Sequence, residues 1–141
     1  MEHWRQRALE MLPELRGELE NTSAVFSPNA LWFELLPRVQ QAHRDRNDSL
    51  LTRIYGLAEW CRTRPEQEIW NAVGGAFYEH LFDEPWMRPH VPRWLSDGAV
   101  AGAWELWEQR LDAAAMNEVR GLLGPRRPHP RLVRRRGRRG T

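Results

Sequence analysis

Tyr78, Glu79 and His80 stand side by side in the stretch NAVGGAFYEHLFDEPW, and each is a residue type that can move protons. Histidine titrates near neutral pH, a glutamate can orient its ring, and a phenol can donate to a developing anion. Shared chemistry needs a shared direction, however. On a helix with Ile69 placed at 0°, Val73 falls at about 40°, Ala76 at about 340°, Phe77 at about 80° and His80 at about 20°. Tyr78 then points to about 180° and Glu79 to about 280°, so three neighbours face three ways. His80 is therefore expected in the structural core, hydrogen-bonded to a polar group such as Tyr55 or Glu59, rather than as a catalyst.

A metal site on that helix would need a second ligand at helical spacing, but position 76 is alanine and Glu84 falls past the expected helix end. The five histidines are scattered through the chain. No metal and no cofactor are expected. Gly74-Gly75 has no preceding strand, so it does not read as a phosphate loop. Its small residues instead suggest that another helix crosses close by. The single cysteine, Cys61, excludes an intramolecular disulfide and lies on an apolar helical face, where a thiol is an inert part of the core.

All 21 basic residues are arginine, which removes Schiff-base chemistry, a lysine general base and a P-loop lysine. The missing lysine, with plentiful Ala, Gly, Pro and Leu, suggests a GC-rich bacterial genome. The net charge of +2 hides a division, because eight arginines and no acid lie in residues 124–141. The other 13 arginines and all 19 acids lie in residues 1–123, which gives that part 13 − 19 = −6. Such a tail can neutralise phosphates or fold back on the acidic body. Arg126, Arg127, Arg131, Arg134, Arg135, Arg136, Arg138 and Arg139 are the candidate nucleic-acid contacts. With no aromatic for stacking and too little apolar surface to order itself, the tail is expected to be disordered and indifferent to sequence.

The elements that would position these residues repeat at helical spacing. Trp4, Ala8, Met11, Leu12, Leu15 and Leu19 form one stripe, which Pro13 kinks or divides. Ser27-Pro28 opens the next helix, whose stripe is Leu31, Trp32, Leu35, Leu36 and Val39, with Pro37 interrupting it. The polar HRDRNDS run reads as a turn. Asn47 or Asp48 caps a helix with Leu50, Leu51, Ile54, Tyr55, Leu57, Ala58 and Cys61 on its face. Pro65, Glu66 and Glu68 open another that is expected to run to about Phe82. The connector DEPWMRPHVPRW carries three prolines and at most a short helical turn. Ser96 or Asp97 caps a helix aligned on Val100, Trp104, Trp107 and Leu111, and a last one spans Ala113 to Leu123, stopped by Gly124-Pro125. The expected architecture is all-α: a single bundle of five to six helices over residues 1–123 and an Arg-rich tail over 124–141.

Of the eight tryptophans, those at positions 4, 32, 70, 104 and 107 fall on helix faces and are expected in the core. Trp86 and Trp94 lie in the connector, where they either lid the core or anchor a partner.

Three blocks carry a family resemblance: Leu12-Pro13 with Ser27-Pro28 and Leu31-Trp32; Ile54-Tyr55 with Ala58, Trp60 and Cys61; and Ala76 to Leu81, followed by Pro92 and Trp94. Over roughly residues 9–123 the chain resembles a bacterial family of small all-helical proteins without an assigned function. The resemblance implies the helical fold and no activity.

No apolar run reaches the roughly 20 residues that span a bilayer, and the charged N-terminus does not read as a secretory signal. A cytoplasmic location is expected. The functional expectation is a non-enzymatic protein-binding module, immunity- or antitoxin-like or regulatory, whose acidic helical surface takes a basic partner. The alternative is a nucleic-acid-associated protein working through its tail. A hydrolase using His80 comes third.

Overall fold

The computed structural model describes residues 3–20 and 27–126. Among them lie seven α-helices and five short 3-10 turns. The helices are α1 (His3–Met11), α2 (Arg16–Glu20), α3 (Pro28–Asp45), α4 (Asp48–Arg62), α5 (Gln67–Ala76), α6 (Asp97–Arg110) and α7 (Ala113–Leu123). The all-α bundle expected from the periodicity is what forms. Its helix count exceeds five to six because Pro13 divides the first stripe. The proline opens a 3-10 turn, Pro13–Leu15, between α1 and α2.

The helix starts follow from side-chain caps that satisfy the first free backbone amides. Ser27 accepts from the Ala30 amide, Asn47 from Leu50, Ser96 from Ala99 and Asp112 from Ala115. Pro37 does not end α3, which runs on to Asp45. The proline is exposed, so the carbonyl of Phe33 that it leaves without a helical donor lies on the outer side of the bundle. The first residues of the HRDRNDS run are thus helical, and only Arg46 and Asn47 make the turn into α4. Arg46 adopts φ 54° and ψ 41°, and its amide closes on the carbonyls of Ala42 and His43.

The core forms where α3, α4 and α5 pack on one another, with α1 against α4 and α6 against the turn at Tyr78–His80. Trp32 and Phe77 meet there with ring centroids 4.8 Å apart, and both are fully buried. Phe82 and Trp107 form a second pair, edge to face at 4.9 Å, under α6. The Trp107 indole N–H donates to the Tyr78 carbonyl at 2.7 Å, which ties α6 to the chain just past α5. No helix among the described residues is long and apolar enough to cross a membrane.

Candidate functional site

The opening stretch folds differently from its helical projection. α5 ends at Ala76, where Phe77 (φ −126°, ψ −71°) leaves the helix, and Tyr78–His80 makes a separate 3-10 turn. The 100° period therefore breaks before it reaches His80. Tyr78 turns inward and is buried, whereas His80 is half-buried at the edge. The expected bond from His80 to Tyr55 or Glu59 is replaced by one between His80 Nδ1 and Asp83 Oδ2 at 3.1 Å. Asp83 also receives Arg110 on both oxygens, Nε to Oδ1 at 2.7 Å and Nη2 to Oδ2 at 2.9 Å. Burial tends to raise the Asp83 carboxyl, but the bonds from Arg110 and His80 together hold it below the usual range. A histidine oriented by a carboxylate can serve proton transfer. Here, among the described residues, no hydroxyl or thiol bonds the ring's other nitrogen, and the aspartate is already engaged by Arg110.

The histidine that does take the core position is His43, near the end of α3. Its Nε2 lies 2.9 Å from the Tyr55 hydroxyl, and both residues are buried. Burial, reinforced by the nearby His90 and Arg93 and opposed by Asp48, brings the His43 pKa down to about 4. Desolvation raises Tyr55 well above the ordinary phenol value, so the pair is neutral at pH 7. Sequence reasoning missed His43 because it assigned the HRDRNDS run to a turn. Cys61 is buried as expected, and burial pushes its thiol up to about 12, far from a nucleophile's range.

Trp86 and Trp94 are half-buried and pack against the core. Trp94 stacks on Tyr55 at 5.7 Å with the rings 13° from parallel. The Trp86 indole N–H is buried without an acceptor among the described residues. Both carry an arginine on the outer face, Arg44 over Trp86 at 4.5 Å and Arg93 over Trp94 at 4.7 Å. They lid the core, with little aromatic face left free. Arg126 ends the last 3-10 turn, and Arg127, Arg131, Arg134, Arg135, Arg136, Arg138 and Arg139 lie outside the described residues.

The exposed tryptophan is instead Trp70. It is 42% exposed, contrary to the expectation that placed it in the core. Trp70 stands at the rim of a groove of about 570 Å³ between α5 and α6. Small residues make the groove: Gly74 and Gly75 on one wall, Ala99, Gly102 and Ala103 on the other. A Cβ added at Gly74 would meet Leu106 at 3.6 Å, an ordinary contact, and at Gly75 it would meet nothing within 4 Å. The paired glycines thus open space beside α6 rather than admit a tight crossing. Phe33 on α3, 62% exposed, and Leu122 on α7 are the other large apolar groups in the open among the described residues.

At one end of the groove Arg62 is held by Glu59, whose carboxyl that arginine keeps below its usual range. The Arg62 Nε lies 3.0 Å from Glu59 Oε1, and the Ser96 hydroxyl donates to the same oxygen at 2.8 Å. The guanidinium lies on Gly98, where any Cβ would come within 2.3 Å of Nη2. Around Trp70 the charges are acidic. Glu105 lines the groove with it, and Glu66 precedes it by one helical turn. Both carboxylates are exposed and have no basic partner among the described residues.

The chain belongs to the DUF7674 family, a domain of unknown function, whose model matches residues 5–109. No curated protein and no solved structure matches the chain. The matched span of the DUF7674 domain runs from α1 almost to the end of α6. It includes Trp70, Glu105 and the whole groove, and leaves α7 and the arginine-rich segment beyond it.

Proposed function

We propose that this DUF7674 domain is a non-enzymatic protein-binding module that takes a basic partner on the acidic face of α5 and α6. The observation that carries this reading is Trp70, an exposed indole at the mouth of an open groove that Glu105 also lines, with Glu66 one helical turn before it and neither carboxylate paired with a base among the described residues. Aromatic side chains beside pockets are the usual anchors of interfaces, and uncompensated charge selects and steers the partner. The −6 of residues 1–123 extends the same preference over the whole body. An immunity or regulatory role toward a basic protein in the cytoplasm fits this chemistry.

The test compares full-length wild type with a Trp70→Ala, Glu105→Arg double variant as bait for basic proteins from the source cells. A protein retained by the wild type alone is then purified, and its binding is measured by calorimetry. Saturable binding that the double variant weakens at least about tenfold is the expected result. Equal binding by the two baits would remove this face as the interface. The nucleic-acid alternative rests on Arg126 and on seven arginines outside the described residues, and no described feature favours it.

A further inference from the structure

Four tryptophans of this protein, one buried and three half-buried, carry an arginine on the ring. Arg5 lies over Trp4 at 4.9 Å, Arg7 and Arg64 over Trp60 at 5.3 and 4.5 Å, Arg44 over Trp86 at 4.5 Å and Arg93 over Trp94 at 4.7 Å. A guanidinium is planar and weakly hydrated, so it stacks on an indole while its edge remains free for a carboxylate. Trp32 and Trp107 are fully buried, and Trp104 is half-buried with its ring set at 66° to that of Trp107. Trp70 differs from all of these. It is the most exposed of the tryptophans, it carries no arginine among the described residues, and Glu105, which lines the same groove, has no basic partner among them. The site has the shape and charge of an arginine receptor without its arginine.

The chain itself supplies candidates. Beyond Arg126 follow 15 residues, 127–141, with seven arginines and no acid. Extended, they reach about 50 Å, more than the roughly 35 Å diameter of a domain of this size. Tethering also gives them an effective concentration in the millimolar range at any site they can reach.

We propose that the segment 127–141 folds back and lays an arginine on Trp70 in the α5–α6 groove, paired with Glu105, so that it competes with the basic partner for that site. This rests on the reading of the groove face as an acceptor of basic chains, and adds its regulation. Removing the tail arginines opens the site, and anything that engages them elsewhere does the same.

The experiment follows the Trp70 indole N–H resonance, assigned with Trp70→Phe, in the full chain and in a full-length variant with the seven arginines beyond Arg126 changed to glutamine. A synthetic peptide of residues 127–141 serves as the probe in trans. The Trp70 resonance should differ between the two chains, be independent of protein concentration, and shift to the variant's position at about 0.5 M salt. The peptide should bind the glutamine variant on the order of tenfold or more tighter than the wild type. Identical resonances in the two chains would overturn the fold-back. If the peptide still moves Trp70 equally in both, only the fold-back falls and the basic-partner reading stands. If it moves Trp70 in neither, both fall. A shift that grows with protein concentration would mean that the tail of a second copy occupies the groove, and the intramolecular proposal would be wrong.

Discussion

His43 Nε2 and the Tyr55 hydroxyl face each other at 2.9 Å across the α3–α4 contact, two neutral groups that satisfy one another inside the core. The pair sets a pH limit on the fold. The folded pKa of His43 is about 4, while an unfolded histidine titrates near 6.5. Below that value the unfolded chain takes up the proton and the folded one resists it. The stability that the neutral ring supports is complete above about pH 6.5, declines as pH falls, and is fully lost below about 4. We expect a loss on the order of 2 kcal/mol by pH 4.5, after allowance for solvent near the ring. Glu14, Glu59 and Asp83, all held low in the fold, begin to add their own losses as pH falls through the ordinary carboxylate values, at the low end of this window and below it. Chemical denaturation from pH 7 to 4.5 should therefore show a fall that His43→Gln removes. A parallel fall in the variant would assign the effect elsewhere.

Two tryptophans should answer differently to phenylalanine. Trp107 donates to the Tyr78 carbonyl at 2.7 Å, so Trp107→Phe loses that bond and leaves a buried carbonyl, at a cost of about 2–4 kcal/mol. The Trp86 indole N–H has no acceptor among the described residues, and Trp86→Phe removes an unpaired buried donor along with some packing. We expect that change to cost less than about 1 kcal/mol. Equal losses in urea melts would mean that the polar end of the indole contributes nothing in either place.

Arg46 closes α3 in the left-handed conformation at φ 54°, which side chains with a Cβ resist. Its side chain is exposed, so Arg46→Gly should raise stability by about 0.5–1 kcal/mol without altering contacts. A destabilised Arg46→Gly protein would show that the arginine makes a contribution larger than its backbone strain.

The helix starts were legible because a cap needs one residue type at one place, and Ser27, Asn47 and Ser96 each supply it. Helix ends were legible only in part: Gly124-Pro125 stops α7 at Leu123 as expected, but the end of α5 was missed. α5 stops at Ala76 because Phe77 turns into the core against Trp32, a tertiary contact with no local sequence signal beyond the weak helix formers Gly74 and Gly75. The helical projection carried past that point interchanged the environments of Tyr78 and His80. Trp70 was misplaced for a related reason. A tryptophan is core by default, and only the small residues across the groove on α6 reveal that no described residue covers it. Phe77 and Gly102 belong to different elements from the residues they control, so a one-dimensional reading has no access to them.

Gly98 and Arg62 should be coupled. A Cβ at position 98 would fall within 2.3 Å of Arg62 Nη2, so Gly98→Ala forces the guanidinium off its seat beside Glu59 and Ser96. In an Arg62→Ala background that obstacle is gone, and the added methyl should be neutral or mildly stabilising. The double-mutant cycle over these two positions should give an interaction energy of about 0.5–2 kcal/mol. A coupling near zero would show that Arg62 moves aside freely and that its fixed position at the end of the groove has no energetic weight.

Trp70 should be nearly dispensable for folding, which makes it a clean probe of binding. Its indole is 42% exposed at the groove rim, whereas that of Trp32 is fully buried against Phe77. Trp32→Ala removes a core ring and should cost about 3–5 kcal/mol or prevent folding. Trp70→Ala gives up only the buried part of one face and should cost less than about 1 kcal/mol. Thermal melts of the two variants beside wild type separate these outcomes. A Trp70→Ala protein that keeps its melting temperature and loses affinity for an arginine-rich peptide marks the indole as a contact. One that melts far below wild type would mean that Trp70 holds α5 in place, and its exposed face would then be a consequence of packing rather than a site.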